Sequence, residues 1–136
     1  MKVPSHRLID RLAYSRDASI YRLVPSAIHW PKNENDIIQL LSYAKRNQTS
    51  LTFRAGGTSL SGQSVTNGII VDISKYWQKS EVLNKGKSIK LQPGVIGMRA
   101  NLALKSSCMK IGPDPASINS AMIGGIVNNN ASGMAC

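Results

Sequence analysis

The chain has 136 residues, of which 42% are hydrophobic and 18% charged, and its formal net charge is +10. This composition is typical of a folded chain with one domain or two small subdomains, and it excludes a disordered chain. No apolar run approaches the roughly 20 residues that span a bilayer. The basic N-terminus leads into no apolar segment of the kind found in secretory signals. Two cysteines give no disulfide framework, so we expect a reducing, cytoplasmic compartment.

The basic residues fall into two groups, nine in positions 1–54 and eight in positions 75–110. The stretches 55–74 and 111–136 contain no lysine or arginine, and most of the glycines lie there. A nucleic-acid-binding module usually places cations and aromatic side chains together on its binding face. Here the candidate binding loops are the neutral parts, so we expect no nucleic-acid partner. Two interpretations of the charge stay open: it serves an anionic membrane surface or a phosphorylated ligand, or it belongs to a solvated surface or to the inner side of a larger protein.

The first half of the chain predicts a small βαββ unit over residues 25–74. Apolar residues at helical spacing predict a helix that starts near Asn33 and ends near Asn47, with acids in its first turn and cations in its last. Another helix is expected around Arg7–Tyr14. Three mostly apolar segments predict strands at 26–30, 50–53 and 68–73.

The second half predicts a β-hairpin, a helix and a turn-rich end. The hairpin is centred on Asn84–Lys87, whose residue types favour a turn. Side-chain alternation in its second strand indicates one solvated face. A helix is expected over 95–107. The segment 111–136 is rich in turn-forming and small residues and predicts no regular element.

The segment 54–64 is the first candidate site. Its sequence RAGGTSLSGQS places three glycines and the hydroxyls of Thr58, Ser59 and Ser61 within seven residues, directly after a predicted strand. Glycine allows positive φ and close backbone approach, so successive N–H groups can converge on an anion. A tight strand-to-strand turn is the alternative. The density of glycines and hydroxyls favours the anion-binding loop.

The same loop departs from two known nucleotide motifs. Gly57–Ser64 matches the pattern G-x-x-x-x-G-K-[ST] except that Gln63 stands where the motif requires lysine. Without that lysine, hydrolysis of a nucleoside triphosphate is disfavoured. The dinucleotide pattern G-x-G-x-x-G is absent as well. What remains is a loop that binds a diphosphate through neutral donors, with no cation near it.

A second glycine-rich stretch covers residues 112–133. Pro113 and Pro115 make a stiff turn around Asp114, and the pair Gly124-Gly125 lets the backbone approach a planar group or another chain. The three asparagines at 128–130 would be costly to bury without partners, which a bound polar cofactor would supply. A solvated Asn-Gly loop is an equally good interpretation of this stretch alone.

The remaining residues provide no catalytic or metal-binding set. His6 and His29 are isolated, and a surface or core position is favoured for each over a catalytic role. Asp72 follows an apolar strand, where a turn or helix-cap role is favoured, and we expect Cys108 to be buried. The sequence offers no paired carboxylates, no Ser/His/Asp set and no metal cluster.

Several blocks of sequence resemble, in the same order, the FAD-linked oxidases of the vanillyl-alcohol oxidase superfamily, which carry a PCMH-type FAD-binding domain. The resemblance runs from about Tyr14 onward, and the most similar branch is that of D-lactate dehydrogenases and glycolate oxidase flavoprotein subunits. The blocks are Asp17-Ala18-Ser19-x-Tyr21, Thr52–Gln63, Gly68–Asp72, Gln92–Val95, Gly112–Ser117 and Ile123–Gly133.

The resemblance implies an α+β fold, a two-subdomain PCMH-type FAD-binding module. Its parts would be a lead-in over 1–24, a small βαββ subdomain over 25–76 and an incomplete antiparallel-sheet subdomain over 77–136, with FAD between the two subdomains. The residues that it implies at the pyrophosphate are Ala55, Gly56, Gly57, Thr58, Ser59, Leu60, Gly62 and Gln63. Those implied along the ribityl chain and the flavin are Pro113, Asp114, Pro115, Ser117, Ile123, Gly124, Gly125, Asn130, Ala131, Ser132 and Gly133.

The resemblance also implies a reaction. Members oxidise a 2-hydroxy acid such as D-lactate or glycolate to the 2-oxo acid by hydride transfer to flavin N5, and pass electrons to a quinone, a cytochrome or an iron–sulfur region. In the most similar variant that iron–sulfur region, and so a cluster, follows the flavin domains, and peripheral association with the inner membrane face is compatible with these acceptors. Some members attach FAD through a histidine just after the paired glycines. Thr58 stands there, so we expect non-covalent FAD.

Complete members continue with further FAD-domain strands and a substrate domain that supplies the catalytic base. We therefore expect this chain to be a truncated fragment, with Cys136 inside the second subdomain, that binds FAD weakly and turns over no substrate. Two other functions stay open. One is another FAD-linked oxidoreductase of the superfamily, such as a cell-wall precursor reductase or an alditol oxidase. The other is a non-catalytic anion-binding module that uses its basic surface for nucleic acid or membrane lipid.

Overall fold

Two small sheets flanked by helices form the part of the chain that the computed structural model describes, residues 4–134. The strands are β1 (Ala27–His29), β2 (Leu51–Arg54), β3 (Ile69–Asp72), β4 (Ser80–Leu83) and β5 (Ser88–Leu91). The α-helices are α1 (Leu8–Ala13), α2 (Glu34–Arg46), α3 (Gly97–Leu104) and α4 (Ile123–Asn128). The predicted mixture of helix and strand is confirmed. The last residue of the predicted second subdomain, Cys136, lies outside the described residues.

The first sheet is parallel, with strand order β1-β3-β2. Ile70 of the central strand is paired with Ile28 on one side and with Thr52 on the other. All four residues of β3 are buried, as expected of a strand covered on both faces. Because β2 and β3 run in the same direction, the segment 55–68 must return from one end of the sheet to the other. A tight strand-to-strand turn is therefore excluded.

Helix α2 links β1 to β2 and has the caps that the sequence predicts. The side chain of Asn33 accepts a hydrogen bond of 3.0 Å from the N–H of Asp36, which satisfies a donor that the first turn leaves free. Lys45 and Arg46 lie in the last turn, where cations interact favourably with the helix dipole. Leu40 is buried and anchors the apolar side of the helix.

The hairpin of β4 and β5 is antiparallel, with Ser80 paired with Leu91. A 3₁₀ turn at Asn84–Gly86 joins the strands, and all three of its residues have positive φ, which Asn and Gly tolerate. In β5, Ile89 and Leu91 are half-buried while their neighbours are exposed. The predicted hairpin and its solvated face are thus confirmed.

Two predictions for the second half were wrong. The segment Ile123–Asn128, expected to be irregular, forms α4. Tertiary contacts outweigh the low helix propensity of its two glycines, because the N–H of Gly124 donates to the carbonyl of Pro93 at 2.8 Å and Ile126 is buried. Cys108, expected to be buried, is exposed. It adopts a left-handed conformation (φ 53°) where the 3₁₀ turn after α3 ends at the surface.

A polar network ties the N-terminal residues to the end of the central strand. The Tyr14 hydroxyl donates to Oδ2 of the buried Asp72, and it accepts from Nε1 of Trp30 at 3.1 Å. Burial, and then the hydrogen bond to Asp72, raises the pKa of Tyr14 to about 12. Oδ1 of Asp72 accepts from the N–H of Ser74 at 2.6 Å, which confirms the predicted turn role.

Gly94 lies where the two sheets meet, and we expect its replacement by alanine to destabilise the fold. A β-carbon added there would lie 2.6 Å from the carbonyl oxygens of both Ile73 and Trp77. Since these are backbone atoms, we expect Gly94→Ala to lower the free energy of unfolding by about 2 kcal/mol in urea titrations. Gly112→Ala is the matched control, because no atom lies within 4 Å of a β-carbon there, and it should stay within about 0.5 kcal/mol of the wild type. Equal stability of the two variants would contradict this packing.

The imidazole of His29 should make stability depend on pH. His29 is 2% exposed, and its Nε2 has no hydrogen-bond partner in the described part of the chain. Burial lowers the pKa of His29 below 6.5, although the charge of Asp36 opposes the shift. The unfolded chain therefore binds a proton more readily than the folded chain, so stability is retained above pH 6.5 and falls as the pH drops below it. We expect urea unfolding between pH 7.5 and 5.5 to show this loss, and His29→Phe to reduce it. An unchanged pH slope in the variant would exclude His29 as its source.

Candidate functional site

A cleft with a volume of about 490 Å³ opens at the end of the parallel sheet. This volume falls within the range of about 300–1,000 Å³ typical of small-molecule sites. On one side it is lined by the loop that follows β2, with Phe53, Ala55, Gly56, Gly57, Thr58, Ser59, Gln63 and Ser64. On the other side it is lined by Ser117, Ala121, Met122, Gly125, Ile126, Asn128, Asn129 and Ala131. Ligands of open parallel sheets commonly bind beyond the C-terminal ends of the strands, where this loop begins.

The loop offers backbone donors that its own fold does not use. Within residues 4–134, the N–H groups of Gly56, Gly57 and Thr58 have no hydrogen-bond partner, and all three residues line the cleft. Gly57 has a φ of 64° and Gly62 a φ of 72°, a region that glycine enters without steric cost. Neighbouring N–H groups in such a turn can bind an anion together.

Gly56, on one wall of the cleft, lies against the turn that leads into the other wall. A β-carbon added there would lie 2.7 Å from the carbonyl oxygen of Ser120. That carbonyl belongs to a turn in which the N–H groups of Ser120 and Ala121 both donate to the carbonyl of Ser117, at 2.8 and 2.7 Å. Position 56 therefore requires glycine, because any side chain there would collide with this carbonyl.

Gln63 has a structural role within the loop. Its Oε1 accepts a hydrogen bond of 2.6 Å from the hydroxyl of Ser59, and the same hydroxyl oxygen accepts from the N–H of Ser61 at 3.2 Å. These bonds close the loop on itself at the position where a triphosphate-binding loop would carry its lysine. Gln63, which departs from the triphosphate-binding motif, thus stabilises a loop of a different kind.

The cleft is neutral, but a cation lies directly behind it. None of the described residues that line the cleft carries a charged side chain. The guanidinium of Arg54 stacks 5.2 Å from the centre of the Tyr14 ring, and its Nη1 donates to the Tyr14 carbonyl at 3.2 Å. A β-carbon added at Gly57 would lie 2.8 Å from Nη2 of Arg54. The expectation that no cation lies near the loop was therefore wrong, because the side chain of Arg54 folds back beneath it.

The structure brings part of the predicted cofactor-binding set together and leaves part of it outside the cleft. The predicted residues that line it are Ala55, Gly56, Gly57, Thr58, Ser59, Gln63, Ser117, Gly125 and Ala131. Those outside its lining are Leu60, Gly62, Pro113, Asp114, Pro115, Ile123, Gly124, Asn130, Ser132 and Gly133. Leu60 is 77% exposed. Gly124 borders a neighbouring cavity of about 260 Å³ that shares Phe53, Ala55, Gly125 and Asn128 with the cleft.

The Pro113–Pro115 turn does not line the cleft and contacts the end of the described chain. A β-carbon added at Gly133 would lie 1.7 Å from the carbonyl oxygen of Asp114, so this turn and the end of the described chain are in direct contact. Pro115 is buried, and the Asp114 carboxylate pairs with Nζ of Lys110 at 3.5 Å. A direct contact of these residues with a cofactor stays a prediction.

Sequence reasoning missed several residues of the cleft. They are Phe53, Ser64, Ala121 and Met122. Ile126, Asn128 and Asn129 line the cleft as well, and they lie within the segment 123–133 that the resemblance implies along the cofactor. The run of asparagines at 128–130 pointed to this site, but the argument from burial was wrong because all three are exposed. Ala121 and Ile126 are buried, and only the unpredicted helix α4 turns Ile126 toward the cleft.

The chemistry of the two walls differs and fits a cofactor such as FAD. The loop contributes unused N–H groups and hydroxyls suited to a diphosphate, while the other wall combines the apolar Ala121, Met122 and Ile126 with polar side chains, a mixture suited to a ring system that carries polar atoms. Within residues 4–134, no group of three His, Cys, Asp or Glu side chains is placed to hold a metal ion. No helix in that range is long and apolar enough to cross a membrane.

Comparison with known proteins agrees with this assignment. The family model described as "FAD binding domain" matches residues 25–136. D-2-hydroxyglutarate dehydrogenase of Haemophilus influenzae is 37% identical over 128 residues, which make up 91% of this chain and 12% of that protein. Glycolate oxidase subunit GlcD of Bacillus subtilis is 32% identical over 127 residues, 91% of this chain and 27% of that subunit. The chain therefore spans about an eighth of the length of the dehydrogenase.

Solved structures share the fold. Alkyldihydroxyacetonephosphate synthase superposes with a TM-score of 0.80 at 19% identity, over 95% of this chain and 27% of that one. Cholesterol oxidase from Brevibacterium sterolicum gives a TM-score of 0.72 at 18% identity, over 87% of this chain and 24% of that one. With this fold, and with a family model that matches most of its length, the chain belongs to the FAD binding domain family, and its fold is the PCMH type that the sequence resemblance implied.

Proposed function

We propose that this chain is the cofactor-holding part of a FAD-dependent enzyme that oxidises a 2-hydroxy acid to the 2-oxo acid. The observation that carries the proposal is the cleft itself, which Gly56, Gly57 and Thr58 line with unused N–H groups and which Ala121, Met122 and Ile126 line on the other side. FAD, when bound, supplies the hydride acceptor for such an oxidation. The relatives described above, a D-2-hydroxyglutarate dehydrogenase and a glycolate oxidase subunit, support the substrate class.

The residues of the cleft divide the work of holding FAD. The loop donors Gly56, Gly57 and Thr58 bind the diphosphate, and Arg54 behind them favours its negative charge. Ile126 flanks the ring system and excludes water from that side. Thr58 occupies the position of the histidine that attaches FAD in some members of the superfamily, so the cofactor is held without a covalent bond.

The groups that bind and deprotonate the substrate come from elsewhere in the whole protein. His29 is buried on β1, and His6 is exposed on the N-terminal segment, so neither histidine lines the cleft. The electron acceptor, whether a quinone, a cytochrome or an iron–sulfur region, belongs to the whole protein as well. We place the whole protein in the cytoplasm, in peripheral contact with the inner face of the membrane.

Titration with FAD tests the proposal directly. We expect the chain to quench the fluorescence of added FAD in a saturable way, and Gly57→Ala to raise the Kd about tenfold. The reason is that a β-carbon at a φ of 64° costs about 1–2 kcal/mol and displaces the Arg54 guanidinium. Gly112→Ala, whose β-carbon meets nothing, should bind like the wild type.

The same preparation tests the mode of attachment and the competing function. Acid precipitation should leave all of the flavin in the supernatant, whereas flavin retained on the denatured chain would contradict non-covalent binding. Strongly salt-dependent retention on DNA, with no effect on flavin fluorescence, would favour the anion-binding module instead.

Turnover experiments test whether this chain only holds FAD while the rest of the protein supplies the groups that react with the substrate. With FAD and an artificial electron acceptor, we expect the chain alone to give no oxidation of D-2-hydroxyglutarate, D-lactate or glycolate above the rate of free FAD, because none of the described residues that line the cleft is a base. Oxidation of any of the three above that background would show that the chain holds a base. Binding of FAD with no turnover is the expected pair of results.

A further inference from the structure

The residues that precede the family match contact the cofactor loop at several points. The family model begins at residue 25, yet residues 14–21, here called the N-terminal strap, pack along the loop 55–64. We propose that the N-terminal strap is a positioning element of the cofactor site, which fixes the loop in the shape that presents its N–H groups to the cleft, chiefly through Asp17 and the backbone of Ala18. The inference rests on the proposed function, since FAD is the ligand that the loop would hold.

The first contact acts on the peptide group between Gly57 and Thr58. The N–H of Ala18 donates to the carbonyl oxygen of Gly57 at 3.0 Å. In a trans peptide the C=O and the following N–H point in opposite directions, and every peptide bond of the described chain is trans. By holding the Gly57 carbonyl on the strap side, Ala18 turns the N–H of Thr58 away from the strap. That N–H is one of the unused donors of the cleft.

The second contact fixes the end of the loop through a carboxylate. Oδ2 of Asp17 accepts a hydrogen bond of 2.9 Å from the hydroxyl of Ser64, which is 8% exposed. Oδ1 of Asp17 accepts from the N–H of Ser19 at 2.9 Å, so both carboxylate oxygens are engaged. Burial raises the pKa of Asp17, but the hydrogen bonds from Ser19 and Ser64 outweigh it and hold the pKa below its ordinary value. The carboxylate is thus ionised at neutral pH, and its hydrogen bonds are of the stronger, charge-assisted kind.

The third and fourth contacts use the two tyrosines of the strap. The ring of Tyr21 lies against Gly62, where an added β-carbon would come within 2.5 Å of Cδ2. At the other end, the ring and carbonyl of Tyr14 hold Arg54, whose guanidinium lies against Gly57. The strap therefore meets the loop at three positions, Gly57 near its start and Gly62 and Ser64 near its end. A segment that merely completed the fold would not need to meet three separate parts of one loop.

Removal of the Asp17 carboxylate is the sharpest test in the full chain. We expect Asp17→Ala to raise the Kd for FAD about tenfold because, of the bonds that it removes, the charge-assisted one to Ser64 is the one that holds the loop. We also expect faster amide hydrogen exchange confined to residues 55–64. Asp17→Asn should restore most of both readouts, since its amide oxygen can accept from Ser19 and its NH₂ can donate to Ser64. If Asp17→Ala does not fold, Ser64→Ala removes the same bond from the loop side.

Asn33→Ala is the matched control. It deletes the N-cap bond of α2, a comparable loss at a residue that does not line the cleft, so it should lower the melting temperature without changing FAD affinity or exchange in the loop. The inference is overturned if Asp17→Ala binds FAD like the wild type, if Asn33→Ala weakens binding equally, or if Asp17→Asn is as defective as Asp17→Ala. Should the wild type bind no FAD, the proposed function fails instead, and hydrogen exchange alone still decides whether the strap holds the loop.

Discussion

The parallel pairing of β2 with β3 is the constraint on which the rest of the structure depends. Two adjacent parallel strands cannot be joined by a short turn, so the chain must travel back along the sheet between Arg54 and Ile69. The first part of that return path begins beyond the C-terminal end of β2, at the edge where parallel sheets bind ligands. The glycines of residues 56–62 let it turn there without regular structure. The position of the cleft is thus set by the direction of the strands, and the side chains that line it determine only what it binds.

A loop without regular structure must be held by other parts of the chain. Unused N–H groups are costly when buried and useful only when they point the same way. Here the Ser59–Gln63 hydrogen bond, the Arg54 guanidinium and the N-terminal strap each restrict the loop from a different side. Individually such contacts stabilise by about 1 kcal/mol. Together they order the loop before a ligand arrives, so less conformational entropy is lost on binding. The affinity rises although no contact with the ligand is added.

The sequence predicted those features whose causes are local. The Asn33 cap, the apolar run of β3 and the Asn84–Gly86 turn depend on residues within a few positions, and all three were confirmed. Helix α4 was missed because its two glycines oppose a helix locally, while contacts with Pro93 and Val95, some 30 residues earlier, impose it. Long-range contacts of the same kind bring Ala121 and Ile126 to the cleft. They also pack the strap on the loop. Hydrophobic period and turn chemistry carry no information about such contacts.

The distribution of charge in the molecule also affects how the site binds an anion. With 17 basic and 7 acidic residues, the molecule is positive overall, and part of this charge interacts with aromatic rings, as where Lys75 lies 5.9 Å from Trp30 and 5.4 Å from Tyr76. A lysine in the cleft wall would have to lose its hydration when a ligand binds, which is costly. Backbone donors in front of one stacked arginine avoid most of that cost, while the net positive charge attracts a diphosphate from a distance. The neutral lining and the basic surface therefore act together on an anionic ligand, one at contact range and the other over the range of the Debye length.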